Sequence, residues 1–322
     1  MERLLDAMAH HALRREHYLR LLHYLEDSGE DQVSTSDAES RQMIIRNTIT
    51  EVAYNVQATV DARHCLLIDY RVTNHNDRQA MGNMLRRAKS IVRNRSFTAL
   101  FDKGYYAGSE LETAQGLGIT ALVAVPAPAS NAPDPAYNVE HFAYDHTSDT
   151  YTCPEGHTLT TNGHVYTKHL SRAHPTSFHQ YRTKACKTCA VRHRCTTAKN
   201  GRLIERNLYS PVFEQNRQNI AANPELYKRR QAIVEHPFGT IKRQWGYSYV
   251  LTKQGMERAS ADVGLMLVAY NLRRIFNIVG WQALLAYARA RAACLALLSG
   301  WRACWRGYSQ RIKRLASSAI YL

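Results

Sequence analysis

Two aspartates each close a short apolar stretch: Asp61 ends YNVQATVD and Asp102 ends SFTALFD. If both stretches are strands of an open α/β sheet, their C-terminal ends converge on one crevice. Two carboxylates there can hold a divalent cation, or a pair of them, with hard oxygen ligands. A third carboxylate from a packed helix would complete a cage suited to phosphoryl transfer, where one ion activates the attacking oxygen and another stabilises the leaving one. The plain alternative is turn chemistry, because aspartate is common where hairpins and loops begin. Competing acids are Asp69, expected on the opposite edge from Asp61, and Asp77, which fits a helix N-cap.

A second constellation is softer. Cys153, Cys186, Cys189 and Cys195 fall in one segment, and CKTC has the spacing that lets both thiolates reach one tetrahedral zinc. Four sulfurs in a chain expected to be cytosolic suit structural Zn2+. His157, His169 or His193 could replace one sulfur, and a chance cluster of free thiols or a redox pair are the other readings. Around them lie Arg172, Arg182, Lys184, Lys187, Arg192 and Arg194, interleaved with Tyr166, Phe178 and Tyr181. That pattern suits phosphates and stacked bases, or a solvated basic face.

The elements that must position these groups follow from periodicity. Residues 4 to 27 repeat leucine at helical spacing, and SGEDQVSTSDAES reads as a linker. Residues 54–73 read as a hairpin with a turn at 62–64. Residues 77–94 read as a helix, SFTALFD as a strand, the stretch after Asp102 as a helix capped by Ser109, and TALVAV as a buried strand. Alternating strands and helices predict an α/β sheet covered on both faces. PAPASNAPDPAYN is a surface loop. Residues 140–206 lack long apolar runs and are expected to need a staple to hold a core. Helices return near Pro211 and Pro224, residues 256–279 form an apolar helix, and a basic helical tail starts at Trp281. The expected division is 1–50 (helix and linker), 51–125 (first part of the core), 126–212 (Cys/His-rich insertion), 213–280 (second part of the core) and 281–322 (tail).

Of 322 residues, 42 are Lys or Arg and 27 are Asp or Glu, a net charge of +15. Such an excess favours a polyanion, because each neutralised phosphate releases counterions. Hydrophobic residues at 45% exclude a disordered chain. No run of about 18 apolar residues predicts a membrane span, and the charged start lacks a signal core, so a cytoplasmic location is expected.

The segments YNVQATVD, FDKGYYAG and VEHPFGTIKRQWGY resemble the three catalytic blocks of bacterial insertion-sequence DDE transposases, and LMLVAYNLRRIFNI resembles the helix that follows the last block. The resemblance spans roughly residues 37 to 280. It implies a ribonuclease-H-like fold: a mixed sheet flanked by helices, with a Cys-rich insertion before the last catalytic helix. It carries over Asp61, Asp102 and Glu235 as first, second and third carboxylates, holding two Mg2+ or Mn2+ ions. It implies double-stranded DNA, transposon ends and target, as partner, bound by a homodimer on the nucleoid. The Glu235 segment is also similar to the tyrosine–arginine–glutamate–lysine signature of related cut-and-paste transposases. Lys242 has the usual spacing from Glu235 and is expected on the same helical face. Tyr227 and Arg230 precede Glu235, although Arg230 stands one residue further off than usual. Lys103, Tyr227, Arg230 and Lys242 are the expected DNA contacts. Pro237 predicts a helix break near Glu235, and a solvated helical glutamate is the plain reading of that residue. Only about 30 residues precede the linker, where the family has a helical DNA-binding domain, so a truncated region is expected there. The rival readings are a truncated or domesticated transposase-derived DNA-binding protein without turnover, a nuclease of the same fold, and a zinc-stabilised interaction module.

Overall fold

A computed structural model describes residues 2–45, 49–93, 95–127, 132–169, 175–249 and 253–292. The chain opens with helix α1 (Glu2–Ser28), then an antiparallel hairpin of β1 (Arg41–Ile45) and β2 (Ile49–Ala53). A second two-stranded sheet joins β3 (Asn55–Val60) to β4 (Leu67–Thr73). Next come α2 (Met81–Ile91), β5 (Thr98–Phe101), α3 (Gly108–Gly116) and β6 (Thr120–Val123). The strands β5 and β6 pair in parallel, Phe101 opposite Val123. Then follow β7 (Ala143–Asp145), β8 (Thr150–Thr152), β9 (Thr158–His169), β10 (Pro175–Arg182), the short helix α4 (Arg192–Cys195) and β11 (Ile204–Asn207). The chain continues through α5 (Ser210–Ala222), α6 (Pro224–Gly239), a π-helical turn over Thr240–Gln244, and α7 (Met256–Val279). Residues 281–292 are helical; the rest of the expected tail lies outside the described residues.

Two compact units divide the chain, one of Met1–Thr59 with Asp69–Ala232, the other of Val60–Ile68 with Ile233–Leu322. In the first, α2 and α3 bury Met81, Leu85, Leu111 and Ala114 against Ile119, Ala121 and Val123 around β6. On α5, Asn216 is 1% exposed; its amide donates to the Val123 carbonyl and accepts from the Val123 N–H, both at 2.9 Å. One side chain thus does for the end of β6 what a neighbouring strand would do, leaving neither backbone group orphaned.

The segment expected to need a staple builds its own sheet, ordered β11-β10-β9-β8-β7. Phe142, Tyr151, Leu159, Tyr181 and Ile204 form its core. The sequence hid this because the large residues are aromatic and spaced over five short strands rather than gathered in runs. Arg206 ties the sheet to α5: it donates to Tyr151 Oη (3.2 Å) and Glu214 Oε1 (2.6 Å) and lies 3.7 Å above the Tyr144 ring.

In the second unit, Ile233, Ile241, Ala259, Val263, Leu267 and Tyr270 supply the buried surface, with Leu67. Pro237 lies inside α6 and is fully buried. Missing its N–H, it is followed by the π turn, where Trp245 N–H reaches the Thr240 carbonyl.

Several expectations need correction. The region 28–50 is not all linker, since β1 and part of β2 lie in it. Leu13, Leu19 and Leu22 of α1 are exposed, so its leucine spacing buries no stripe there. Ser109 sits inside α3, whose N-cap is Ala107. The core strands pair as separate two-stranded sheets rather than as one mixed sheet. Among the described residues no helix is long and apolar enough to cross a membrane.

Candidate active site

Asp102 follows β5 directly and caps a single 3-10 turn, Lys103–Tyr105, accepting the Gly104 N–H on Oδ1 at 2.8 Å. A larger residue in the turn would crowd both carboxylates. A Cβ at Gly104 would stand 3.1 Å from Asp102 Oδ1 and 3.2 Å from Asp77 Oδ2. Beneath it runs a buried polar relay. Tyr105 Oη donates to Gln57 Oε1, and Gln57 and Asn55 both donate to Asp77 Oδ1, at 2.6 and 2.7 Å. Gln57 is 2% exposed, and both ends of its amide are used. Burial, then the charges of Asp77 and Asp102, push the Tyr105 phenol well above its ordinary pKa, which keeps it a donor. Asp77 is therefore not the N-cap; Asn76 fills that role for the turn Asp77–Gln79.

Asp61 belongs to the second unit. Its N–H donates to the Leu66 carbonyl (2.8 Å), its carbonyl accepts from Cys65 (2.9 Å), and its Oδ2 accepts the His64 N–H at 2.6 Å. Cys65 closes the turn at φ 55°, the left-handed region that costs a non-glycine residue roughly 1–3 kcal/mol. Three side chains of α7 hold that turn. Asn271 pairs with both the N–H and the carbonyl of Leu67 (2.9 and 2.7 Å). Tyr270 Oη donates to the Cys65 carbonyl at 2.8 Å, and Arg274 Nε to the His64 carbonyl at 2.7 Å. The helix thus grips the turn along its backbone, whatever side chains that turn carries.

Glu235 is exposed on α6 in the same unit. The neighbouring His236 places Nδ1 2.7 Å from Tyr270 Oη. Burial, then the Arg274 charge, hold the His236 pKa below its ordinary value.

The other expected residues divide. Lys103 is exposed beside Asp102. Arg230, expected on DNA, donates Nη1 to the Phe101 carbonyl at 3.1 Å and lies 5.1 Å above the Tyr227 ring. It holds the end of β5, one residue before Asp102. Lys242 sits in the π turn, with Nζ 5.5 Å from the Phe238 ring. The wider turn moves it off the regular seven-residue face expected with Glu235. The competing Asp69 is bound by Arg87 through two bonds of 2.6 Å. Phe178 and Tyr181 are buried in or against the insertion sheet, so they cannot stack on bases.

The four cysteines share the lining of one cavity. Cys153, Cys186, Cys189 and Cys195 line one cavity of about 20 Å³, together with Phe142, Leu159 and Arg202. That is room for one water-sized occupant. The His157 N–H donates to Cys153 Sγ at 3.3 Å. Gly201, at φ 85°, lets the chain pass close to Cys186, where a Cβ would stand 2.5 Å from the Cys186 Cβ. Burial raises the Cys195 thiol, Arg202 opposes this, and the other three cysteines add to it. Arg202 Nε is buried without a hydrogen-bond partner. By residue type, four thiolates on one divalent ion would carry a net negative charge that an orphaned guanidinium N–H could meet. Among the described residues, no group of three or more His, Cys, Asp or Glu side chains is drawn together as a formed metal site. Asp61 and Glu235 share one unit, and Asp102 lies in the other.

Sequence reasoning missed Asn55, Gln57, Tyr270, Asn271 and Arg274. The signal for the first two was present: residues 55, 57, 59 and 61 are all polar at period two, a strand face that need not meet water. Residues 152–276 match the family model described as transposase DDE domain. The match contains Glu235, Lys242 and all four clustered cysteines, and neither Asp61 nor Asp102. No curated protein and no solved structure matches the chain.

Proposed function

Because residues 152–276 match the family model described as transposase DDE domain, we propose that the chain belongs to that family and is a metal-dependent DNA strand transferase of an insertion sequence. The carrying observation is that match, on a chain whose net charge of +15 suits a polyanionic substrate. Asp61, Asp102 and Glu235 are the carboxylates that would hold two Mg2+ or Mn2+ ions. Their chemistry fits: an ionised carboxylate has about four lone-pair sites, and the one local N–H that Asp61 and Asp102 each accept aims the group without exhausting it. Bound divalent ions would supply Lewis acidity at the reacting phosphate and a more acidic water.

The chemistry is two phosphoryl transfers. Water attacks the phosphorus at the element's end, and the P–O3′ bond breaks to release a 3′ hydroxyl. That hydroxyl attacks a target phosphodiester in line, forming one P–O bond as another breaks. No covalent protein–DNA intermediate is involved. On the protein side, the Asp102 turn is fixed by Gly104 and by the Tyr105–Gln57–Asp77 relay, and the Asp61 turn by α7. Lys103 and Lys242, both exposed, are the side chains that would meet backbone phosphates. A ribonuclease-H-like core is what membership of that family would imply, although β3–β4 and β5–β6 pair as separate two-stranded sheets. Joining two ends calls for two copies of the chain on DNA. In the insertion, Cys153, Cys186, Cys189 and Cys195 are the residues that would hold one structural Zn2+, which four protein thiolates would leave closed to chemistry.

A second reading, a transposase-derived DNA-binding protein without turnover, draws on one observation: Asp61 and Asp102 each cap their own turn and would be retained for that alone. Nicking of supercoiled plasmid separates the two. The purified chain is expected to convert supercoiled to open-circle DNA in Mn2+ and not in excess EDTA. Retardation of the plasmid without nicking would favour the second reading.

A further inference from the structure

Tyr270 occupies a position that the reaction chemistry alone does not call for. It is 2% exposed, yet its hydroxyl stands between two catalytic segments of one unit. Oη lies 2.8 Å from the Cys65 carbonyl, in the turn that Asp61 opens, and 2.7 Å from Nδ1 of His236, the residue after Glu235. The directions of both bonds are forced. A carbonyl only accepts, so the single phenolic proton goes to Cys65. His236 Nδ1 must then carry its own proton and donate it to the Tyr270 oxygen. The tautomer is fixed, and Nε2 is left as the acceptor.

On the reading that Asp61 and Glu235 are metal ligands, we propose that the Tyr270 hydroxyl is a positioning group for both. It locks the strained turn after Asp61, where Cys65 sits at φ 55°, to the helical step that carries Glu235. Asn271 and Arg274 hold the same turn at Leu67 and His64, and the Arg274 charge also acts on His236. Tyr270 joins the two carboxylate-bearing segments by direct hydrogen bonds, one at Cys65 and one at His236. Groups that orient ligands in this way typically change metal affinity by about 10–100-fold when removed.

The test is Mn2+ binding to the full-length chain, read from the loss of the free-ion EPR signal, beside the Mn2+ concentration for half-maximal plasmid nicking. Tyr270→Phe keeps the ring and removes the bridge, and is expected to weaken Mn2+ binding and raise the half-maximal concentration together, each by about tenfold. Val263→Ala, a core truncation on the same helix, is expected to lower Tm without moving either value. Exposed His236 provides variants that do not endanger the core. His236→Ala is expected to follow Tyr270→Phe, and His236→Asn, whose amide N–H can stand in for Nδ1–H, to recover most of the loss. If the unsubstituted chain binds Mn2+ and both Tyr270→Phe and His236→Ala bind it equally well, the positioning role is wrong while the metal site stands. If the unsubstituted chain binds no Mn2+, the catalytic reading fails and takes this inference with it.

Discussion

Asp102→Asn is expected to abolish Mn2+-dependent nicking while leaving plasmid binding intact. Asparagine keeps the shape and the Oδ1 that accepts the Gly104 N–H, so the 3-10 turn over Lys103–Tyr105 should survive. What is lost is the negative charge and one hard anionic oxygen. Metal ions supply several kcal/mol of transition-state stabilisation, and each 1.4 kcal/mol is about tenfold in rate. A loss of about 10³-fold or more in nicking rate is therefore expected. DNA retardation should be unchanged or slightly stronger, because one anion has gone from a surface that must meet phosphates. Loss of binding and of folded signal together would mean that Asp102 is a turn cap and nothing more.

The second large effect concerns the insertion. Protein purified without chelator is expected to contain one zinc per chain, and the pair Cys186→Ser with Cys189→Ser to contain none. Isolated zinc fingers owe about 10–16 kcal/mol of apparent folding energy to their metal. The five-stranded sheet here has its own core of Phe142, Tyr151, Leu159, Tyr181 and Ile204, so it should lose only part of that on zinc removal. A loss of about 4 kcal/mol would lower Tm by roughly 8–16 °C for a domain of this size class. Calorimetry with and without a zinc chelator checks it. Arg202→Met should weaken zinc retention, since the cavity that the cysteines line would lose its guanidinium charge. A metal content near zero, with a Tm indifferent to the cysteine changes, would leave four free thiols beside a cavity.

What was legible in the sequence was what periodicity and spacing encode. The hairpin β3–β4 and the helix α7 announce themselves by alternation and by helical repeat. The CKTC spacing marked two of the cysteines that line the cavity. The polar interior was not legible in the same way. Alternation in YNVQATVD reads as one dry face and one wet face, yet Gln57 on the polar face is buried in the relay to Asp77 and Tyr105. Whether a polar strand face meets water or another polar group depends on what packs against it, which is a tertiary fact. Arg230 shows the same limit from the other side. Its charge suggested phosphate; nothing in the sequence marked that its guanidinium also donates to the Phe101 carbonyl at the end of β5. Asn216 and Asn271 look like ordinary helical asparagines in the sequence. Each instead serves both backbone groups of a strand residue, and nothing in local pattern marks an amide for that use.

The claim that the chain joins DNA as well as cutting it is tested most directly by incubating it with a short duplex bearing a pre-cut 3′ hydroxyl end and a supercoiled plasmid in Mn2+. Covalent linkage of the duplex to plasmid, lost when the end carries a 3′ dideoxynucleotide and lost in Asp102→Asn, is the predicted result. Plasmid that is nicked with no duplex attached, under conditions where the end is bound, would contradict it and identify a nuclease.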